Sequence, residues 1–284
     1  MNKLTILITL STLLSCTHLF GQINRERLLF EKGIENNPMS HTKEETVVST
    51  LVGLNSLSHS NRVISNISIP TFLLYPASES NNKHIGVIIY PGGGFVNNWL
   101  DREGIDLAIW LSAKGINCMV VKYRTNTKDE NGKFLIPFKD YEGAICLDAR
   151  SSILKMKELS DSLSIDKDKI GIMGFSAGGW LCVKTIFRSL DAEGIVDWKP
   201  AFVGLIYYAD KLKTIKEIEN KMELPPFFMA VASDDKKFPI ENIIPFLSTI
   251  VAEVDKSELH IYSKGDHGFG LAYENGHSVE LWKK

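Results

Sequence analysis

One hexapeptide constrains this chain more than any other: Gly174-Phe175-Ser176-Ala177-Gly178-Gly179. It follows the short apolar run from Ile170 to Met173 and opens a helical stretch over residues 177–190. Gly-x-Ser-x-Gly at a strand-to-helix junction is a nucleophile elbow, a turn so tight that the serine backbone is strained and its neighbours must be small. The bare pattern is weak; its position between a buried strand and a helix gives it weight. Such a turn belongs at the C-terminal edge of a sheet that is covered by helices.

The rest of the chain fits that demand. Ile85–Tyr90 is a continuous apolar run, as expected of a strand buried on both faces. Cys118–Tyr123, Phe202–Tyr208, Phe227–Ala232 and Glu258–Tyr262 read as further strands. Between them lie helical segments over 101–114, 141–163, 177–190 and the region around Ile240–Val254. In the long helix Ile145, Ala149, Ile153 and Met156 share one face. Pro245 interrupts the last pattern, so the regular helix is expected to begin near it, where a first-turn proline is tolerated. Strands alternating with helices predict an α/β fold with a mostly parallel central sheet and helices on both faces. Gaps between strands leave no room for a separate lid domain. Upstream, residues 62–67 and 71–75 read as an antiparallel pair of strands around Pro70, and residues 22–60 as a short helical lead-in.

Composition narrows the function by exclusion. Apolar residues make up 44% and charged residues 23%, which is an ordinary globular mixture and excludes disorder as the main state. The formal net charge is −2 with no Lys/Arg block, so there is no electrostatic reason to expect nucleic acid. Four cysteines are too few for a disulfide scaffold. Cys118, Cys146 and Cys182 sit among apolar residues and read as buried, inert thiols. At the start, Lys3 precedes the uncharged stretch Leu4–Leu14, too short to span a bilayer and the right length for a secretory signal. Residues 1–21 are therefore expected to be a signal peptide. Leu13-Leu14-Ser15-Cys16 resembles a lipobox that would leave Cys16 lipidated; cleavage after Gly21 is the alternative. Either way the chain is expected to be exported: periplasmic, extracellular or lipid-anchored at the cell surface, with Cys16 as the only route to a membrane.

Three further features carry chemistry. Pro91-Gly92-Gly93-Gly94-Phe95 directly follows the strand ending at Tyr90. On a sheet of this kind such a loop turns backbone N–H groups toward a developing oxyanion, together with the N–H of the residue after the nucleophile, Ala177. A phosphate loop would need Gly-Lys-Ser/Thr next, and Phe95-Val96-Asn97 supplies none of it. A serine also needs a general base, and chain order on this fold runs Ser, Asp/Glu, His. Of seven histidines, four precede Ser176, His260 lies in the last strand and His277 in the polar tail. His267, between Gly265-Asp266 and Gly268, occupies the loop after the last strand. The acid should follow the preceding strand, where Asp234 and Asp235 are adjacent and position alone does not choose between them. The idle one is expected to cap a turn.

At these residues the chain resembles the α/β-hydrolase superfamily, and more narrowly the bacterial carbohydrate-esterase branch that includes acetyl xylan and feruloyl esterases. The matching stretches are Tyr90–Phe95, Glu103-Gly104, Val121–Arg124, Asp148–Arg150, Lys169–Gly179, Asp234-Asp235 and His267–Phe269, spread over residues 60–270. The resemblance implies an α/β-hydrolase domain over 61–284 and a catalytic triad of Ser176, Asp235 and His267. Asp235 is chosen because Asp235-Lys236-Lys237-Phe238-Pro239 matches the branch's pattern. It also implies Gly93 and Gly94 as oxyanion donors. The chain departs at Trp180, where the branch often has His, so a bulky ring is expected to pack beneath the elbow. The stretch from Glu274 to Lys284 is shorter than the usual closing helix, which implies a helix cut short.

The expected activity is hydrolysis of O-acyl esters, acetyl above all, on polysaccharides or oligosaccharides such as xylan. Phe95 and Trp99, beside the oxyanion loop, are the expected substrate contacts. The triad supplies nucleophile, base and acid, so no metal or organic cofactor is expected. Two other readings fit the same residues: a broad-specificity, lipase-like carboxylesterase, and a catalytically silent surface glycan-binding protein, the latter disfavoured by a complete triad.

Overall fold

The computed structural model describes residues 25–40, 44–50, 61–191, 199–208 and 224–271. The expected signal peptide and the expected shortened closing helix lie outside these residues.

The strands are β1 (Arg27–Leu28), β2 (Thr46–Thr50), β3 (Asn61–Ser65), β4 (Thr71–Tyr75), β5 (Ile85–Tyr90), β6 (Asn97–Trp99), β7 (Ile116–Lys122), β8 (Ile170–Phe175), β9 (Val203–Ile206), β10 (Phe227–Ala232) and β11 (Glu258–Tyr262). The α-helices are α1 (Asp106–Ala113), α2 (Phe138–Glu158), α3 (Ser160–Leu163), α4 (Ala177–Asp191) and α5 (Ile240–Glu253). One eight-stranded sheet runs in the order β1-β4-β7-β5-β8-β9-β10-β11. From β7 to β11 all neighbours are parallel, and β4 and β1 join antiparallel at one edge. The mostly parallel sheet expected from the alternation is therefore present.

Side chains alternate across the sheet as the two-residue strand period requires. Ile88 and Tyr90 of β5 point into a core shared with α2, α4 and α5, while Val87 and Ile89 point into a second core with α1 and Phe269. All four residues picked for the buried face of α2 are buried, together with Tyr141, Asp148 and Ser152.

Three expectations are corrected. The lead-in contains strands β1 and β2 rather than a helix among its described residues. β3 and β4 do not pair. β3 lies in a separate three-stranded antiparallel sheet between β2 and β6, while β4 pairs with β7 and β1. The cause lies in the connection: Asn66 turns at φ +57°, and Ile67 is fully buried with both backbone groups bound to Thr125. That anchor pulls the chain away before a hairpin can close. Burial agrees, because β4 buries three successive residues and β3 only Ile64.

The third correction concerns α5, which starts at Ile240, so Pro245 sits inside it. The missing N–H would have served the carbonyl of Glu241. Both residues are exposed, so water can satisfy that carbonyl at the cost of a strained but tolerated turn.

Candidate active site

The parallel strands deliver the site residues to one edge of the sheet. β8 ends at Phe175, and Ser176 follows in the left-handed region at φ +49°. The elbow glycines are steric necessities. A Cβ on Gly178 would lie 1.9 Å from the Tyr90 carbonyl oxygen, and one on Gly174 2.2 Å from that of Gly178. The Ser176 amide donates to Ile206 O, and the Ser176 carbonyl accepts from Trp180 N–H, so the Ser176 backbone is fixed from both sides.

His267 and Asp235 come from the loops after β11 and β10. His267 Nε2 lies 2.8 Å from Ser176 Oγ, and His267 Nδ1 lies 2.7 Å from Asp235 Oδ2. A carboxylate only accepts, so Nδ1–H donates to Asp235 and Nε2 is left to accept the Ser176 hydroxyl proton. Asp235 is buried, and its Oδ1 accepts the amide protons of Lys237 (2.9 Å) and Phe238 (2.8 Å), which fixes the carboxylate plane.

The adjacent Asp234 does what a turn residue does. Its Oδ1 accepts the Asp266 N–H at 2.8 Å, and Asp266 Oδ1 accepts the amides of Lys236 and His267. Those two backbone bonds hold the Asp266 carboxyl below the ordinary range. The two aspartates that were inseparable by position thus have different surroundings: one reaches the imidazole, the other laces the acid loop to the histidine loop.

Gly93, at φ +137°, could not carry a side chain, since a Cβ there would meet Asn97 O at 2.1 Å. Gly94 (φ +63°) and Phe95 (φ +69°) continue the left-handed turn. Among the described residues nothing accepts a hydrogen bond from the amides of Gly93, Gly94 or Ala177. They are therefore available as donors.

The half-buried Phe95 ring meets Trp180, Phe138 and Tyr141 edge-on at centroid separations of 5.1, 5.5 and 6.0 Å. Trp180 is buried on the first turn of α4, packed against Phe95 of the glycine loop. Trp99 is half-buried on β6, and its amide donates to Gly92 O. A surface cavity of about 430 Å³ lined by Leu28, Phe30, Asn37 and Ile69 shares no residue with this site.

Sequence reasoning quoted Glu103 only as part of a matching stretch and gave it no role. It is buried here, its Oε2 accepts the Gly92 N–H at 2.7 Å, and the Tyr207 hydroxyl lies beside it. The available signal was weak: a lone carboxylate among Gly104, Ile105 and other apolar residues.

Comparison with known proteins bears on the fold and the family. The curated acetylxylan esterase of Xylanibacter ruminicola is 29% identical over 219 residues, covering 69% of this chain and 42% of that protein. The endo-1,4-beta-xylanase B of Butyrivibrio fibrisolvens is 22% identical over 233 residues, covering 72% of this chain and 35% of that one. The chain thus spans less than half the length of these curated relatives. Among solved structures, the acetyl ester-xyloside bifunctional hydrolase of Caldicellulosiruptor lactoaceticus superposes with a TM-score of 0.65 at 22% identity, over 92% of this chain and 93% of that one. A propionate-bound thermophilic esterase of Thermogutta terrifontis gives a TM-score of 0.59 at 19% identity, over 77% and 88%. Such identities speak to the shared α/β-hydrolase fold. The sequence profile of the dienelactone hydrolase family matches residues 120–280, more than half of the chain and the part holding Ser176, Asp235 and His267; the protein belongs to that family.

Proposed function

We propose that the protein is a serine esterase that removes acetyl groups from the hydroxyls of xylan or related polysaccharides and oligosaccharides. The observation that carries this is the unbroken hydrogen-bond chain Ser176–His267–Asp235 at the mouth of the sheet. Ser176 Oγ attacks the ester carbonyl while His267 Nε2 takes its proton. The carbonyl oxygen gains charge and is held by the amides of Gly93, Gly94 and Ala177. His267 then gives its proton to the departing sugar hydroxyl, leaving an acetyl-enzyme. Water, deprotonated by the same imidazole, attacks that ester, and Ser176 leaves with the proton returned. Asp235 holds the imidazole in the required tautomer throughout.

The choice of a carbohydrate acetyl ester leans on the acetylxylan esterase among the relatives. The ring cluster also suits it. Phe138 is 38% exposed beside Phe95, and exposed aromatic faces suit the C–H faces of sugars. Phe95 and Trp99 remain the proposed substrate contacts.

The test is a substrate panel: acetylated xylan beside aryl esters of increasing acyl length. Acetate release from xylan, a preference for acetyl among the aryl esters and a loss on the order of 10⁶ in kcat for Ser176→Ala are expected. Preference for long acyl chains without release from xylan would instead indicate the broad carboxylesterase.

Export is proposed on the same footing, from Lys3 and the uncharged run Leu4–Leu14. Fractionation of a bacterial host should place the protein outside the cytoplasm. Membrane association that Cys16→Ser abolishes would identify the lipid anchor, and retention of the full-length chain in the cytoplasm would refute export.

A further inference from the structure

We propose that Glu103 is a positioning residue of the ester-hydrolysing site, a buried carboxylate that ties the oxyanion loop to the histidine loop and faces the imidazolium that forms during turnover. The proposal rests on the reading of Ser176, His267 and Asp235 as the triad.

Glu103 lies in the single π-helical turn Asp101–Ile105, which runs directly into α1. One side of its carboxylate faces the oxyanion loop. Oε2 accepts the Gly92 N–H, the amide immediately before the two proposed donor glycines. A Cβ on Gly92 would lie 2.5 Å from Glu103 Oε2 and 2.9 Å from Ser176 Cβ. Carboxylate, loop backbone and nucleophile therefore meet at one point with no room for a side chain.

The other side faces the histidine loop. The Tyr207 hydroxyl lies beside the carboxylate and draws it toward the ionised form, and it accepts the Gly270 N–H at 3.2 Å. The Tyr207 ring meets His267 edge-on at 5.1 Å and Phe269 at 4.6 Å. A Cβ on Gly268 would sit 4.0 Å from Glu103 Oε1. A single side chain thus spans the loop that holds the oxyanion and the loop that carries the base.

The charged and titratable groups around Glu103 are His267, Arg102 from its own turn, and the buried phenols Tyr207 and Tyr123. Burial raises the Glu103 carboxyl, and the net direction stays upward although Tyr207, the Gly92 amide, His267 and Arg102 draw it part of the way back. A carboxylate here does two things. It fixes Gly92 so that the next two amides point at the oxyanion, and it lowers the energy of protonated His267, which exists in both transition states.

Glu103→Gln keeps the shape and removes the charge. With an aryl acetate as probe, kcat is expected to fall by about 10²-fold, of the order lost with an oxyanion donor, while KM changes less than about threefold. The acid limb of the kcat/KM profile should move to lower pH, because the imidazolium loses a neighbouring negative charge. A merely structural role would not move that limb. Tyr207→Phe keeps the ring and removes the hydroxyl, so it provides a second route if Glu103→Gln folds poorly. It should lower kcat by about 10-fold with KM little changed. An unmoved acid limb, or Glu103→Gln and Tyr207→Phe within threefold of wild-type kcat, overturns the proposal. Fluorophosphonate labelling separates the two levels of the argument. Labelling of wild type at Ser176 together with Glu103 variants that keep wild-type activity refutes this role alone, whereas absence of labelling in active wild type refutes the triad itself.

Discussion

Four non-glycine residues of the site hold positive φ angles: Phe95 at +69°, Ser176 at +49°, Tyr207 at +37° and Asp266 at +53°. Each sits in one of the loops that shape the chemistry, and each is held by surroundings that outweigh the local cost of about 1–3 kcal/mol. Asp266 shows how: its amide is held by Asp234, and its own carboxylate holds the amides of Lys236 and His267. The two aspartates after β10 should therefore fail differently. Asp235→Asn is expected to cost about 10⁴ in kcat with little loss of stability, since the imidazole loses the acceptor that sets its tautomer. Asp234→Asn leaves the tautomer alone and should cost less than about 10-fold. Steady-state kinetics of the pair, with thermal melts to exclude unfolding, checks the assignment; equal losses would contradict it. The juxtaposition of Ser176, His267 and an aspartate after β10 was legible in the sequence because each lies in the loop after its strand, so local pattern and chain order suffice; the choice of Asp235 over Asp234 came from the resemblance. Glu103 was not legible, because nothing local says that a carboxylate 11 residues beyond Gly92 folds back to bind its amide.

At the scale of elements, legibility follows the same division between local and distant causes. The five parallel interior strands and α2 follow from runs and periods that a short window contains. Even the N-terminal extension of α2 has a local cause, since Pro137 at the cap favours helix entry at Phe138. The small sheet β2-β3-β6 has no such signature. It joins β6 to a strand more than 30 residues earlier in the chain, and β6 is only three residues long. What selects it is an anchor outside any window. Arg62 of β3 clasps Asp101 with its amide and guanidinium, at 2.6 Å for the shortest contacts, so the small sheet grips the turn that carries Glu103. The Tyr123-Arg124 and Asp148 stretches, noticed only as matches, are likewise one device. Arg124 is buried and reaches both Asp148 oxygens, the Ala144 carbonyl and Asn37 Oδ1. It joins the end of β7, helix α2 and the lead-in. A buried arginine with that many satisfied donors gives definition to a junction more than net stability.

Over the whole molecule, the question is how the small sheet and the lead-in are fastened to the main sheet. Lys122, the last residue of β7, is buried, yet its ammonium reaches Glu26 just before β1 and Glu45 just before β2. Thr71 of β4, its register partner across β7, also donates to Glu26. One cation therefore links the N-terminal edge of the large sheet, the first strand of the small one and the centre of the fold. Burial alone would raise the Glu26 carboxyl, but Lys122 and Thr71 outweigh it and the net shift is downward. The sign follows: this contribution is present above the carboxylate's unfolded value and is lost as pH falls through the lower, folded one. Because Glu26 and Glu45 keep partial access to water, the pairs are worth little globally, and Lys122→Met should cost no more than about 1 kcal/mol in a denaturant melt. Locally the effect should be plain. Hydrogen exchange at Arg27–Leu29 and Thr46–Thr50 is expected to quicken in Lys122→Met at neutral pH. In wild type the same amides should lose protection relative to the core strands only as the solution is acidified below the ordinary carboxylate range. Protection that is equal in the two proteins at neutral pH would show that these segments are held by strand pairing alone, and that the cation at the end of β7 fastens nothing.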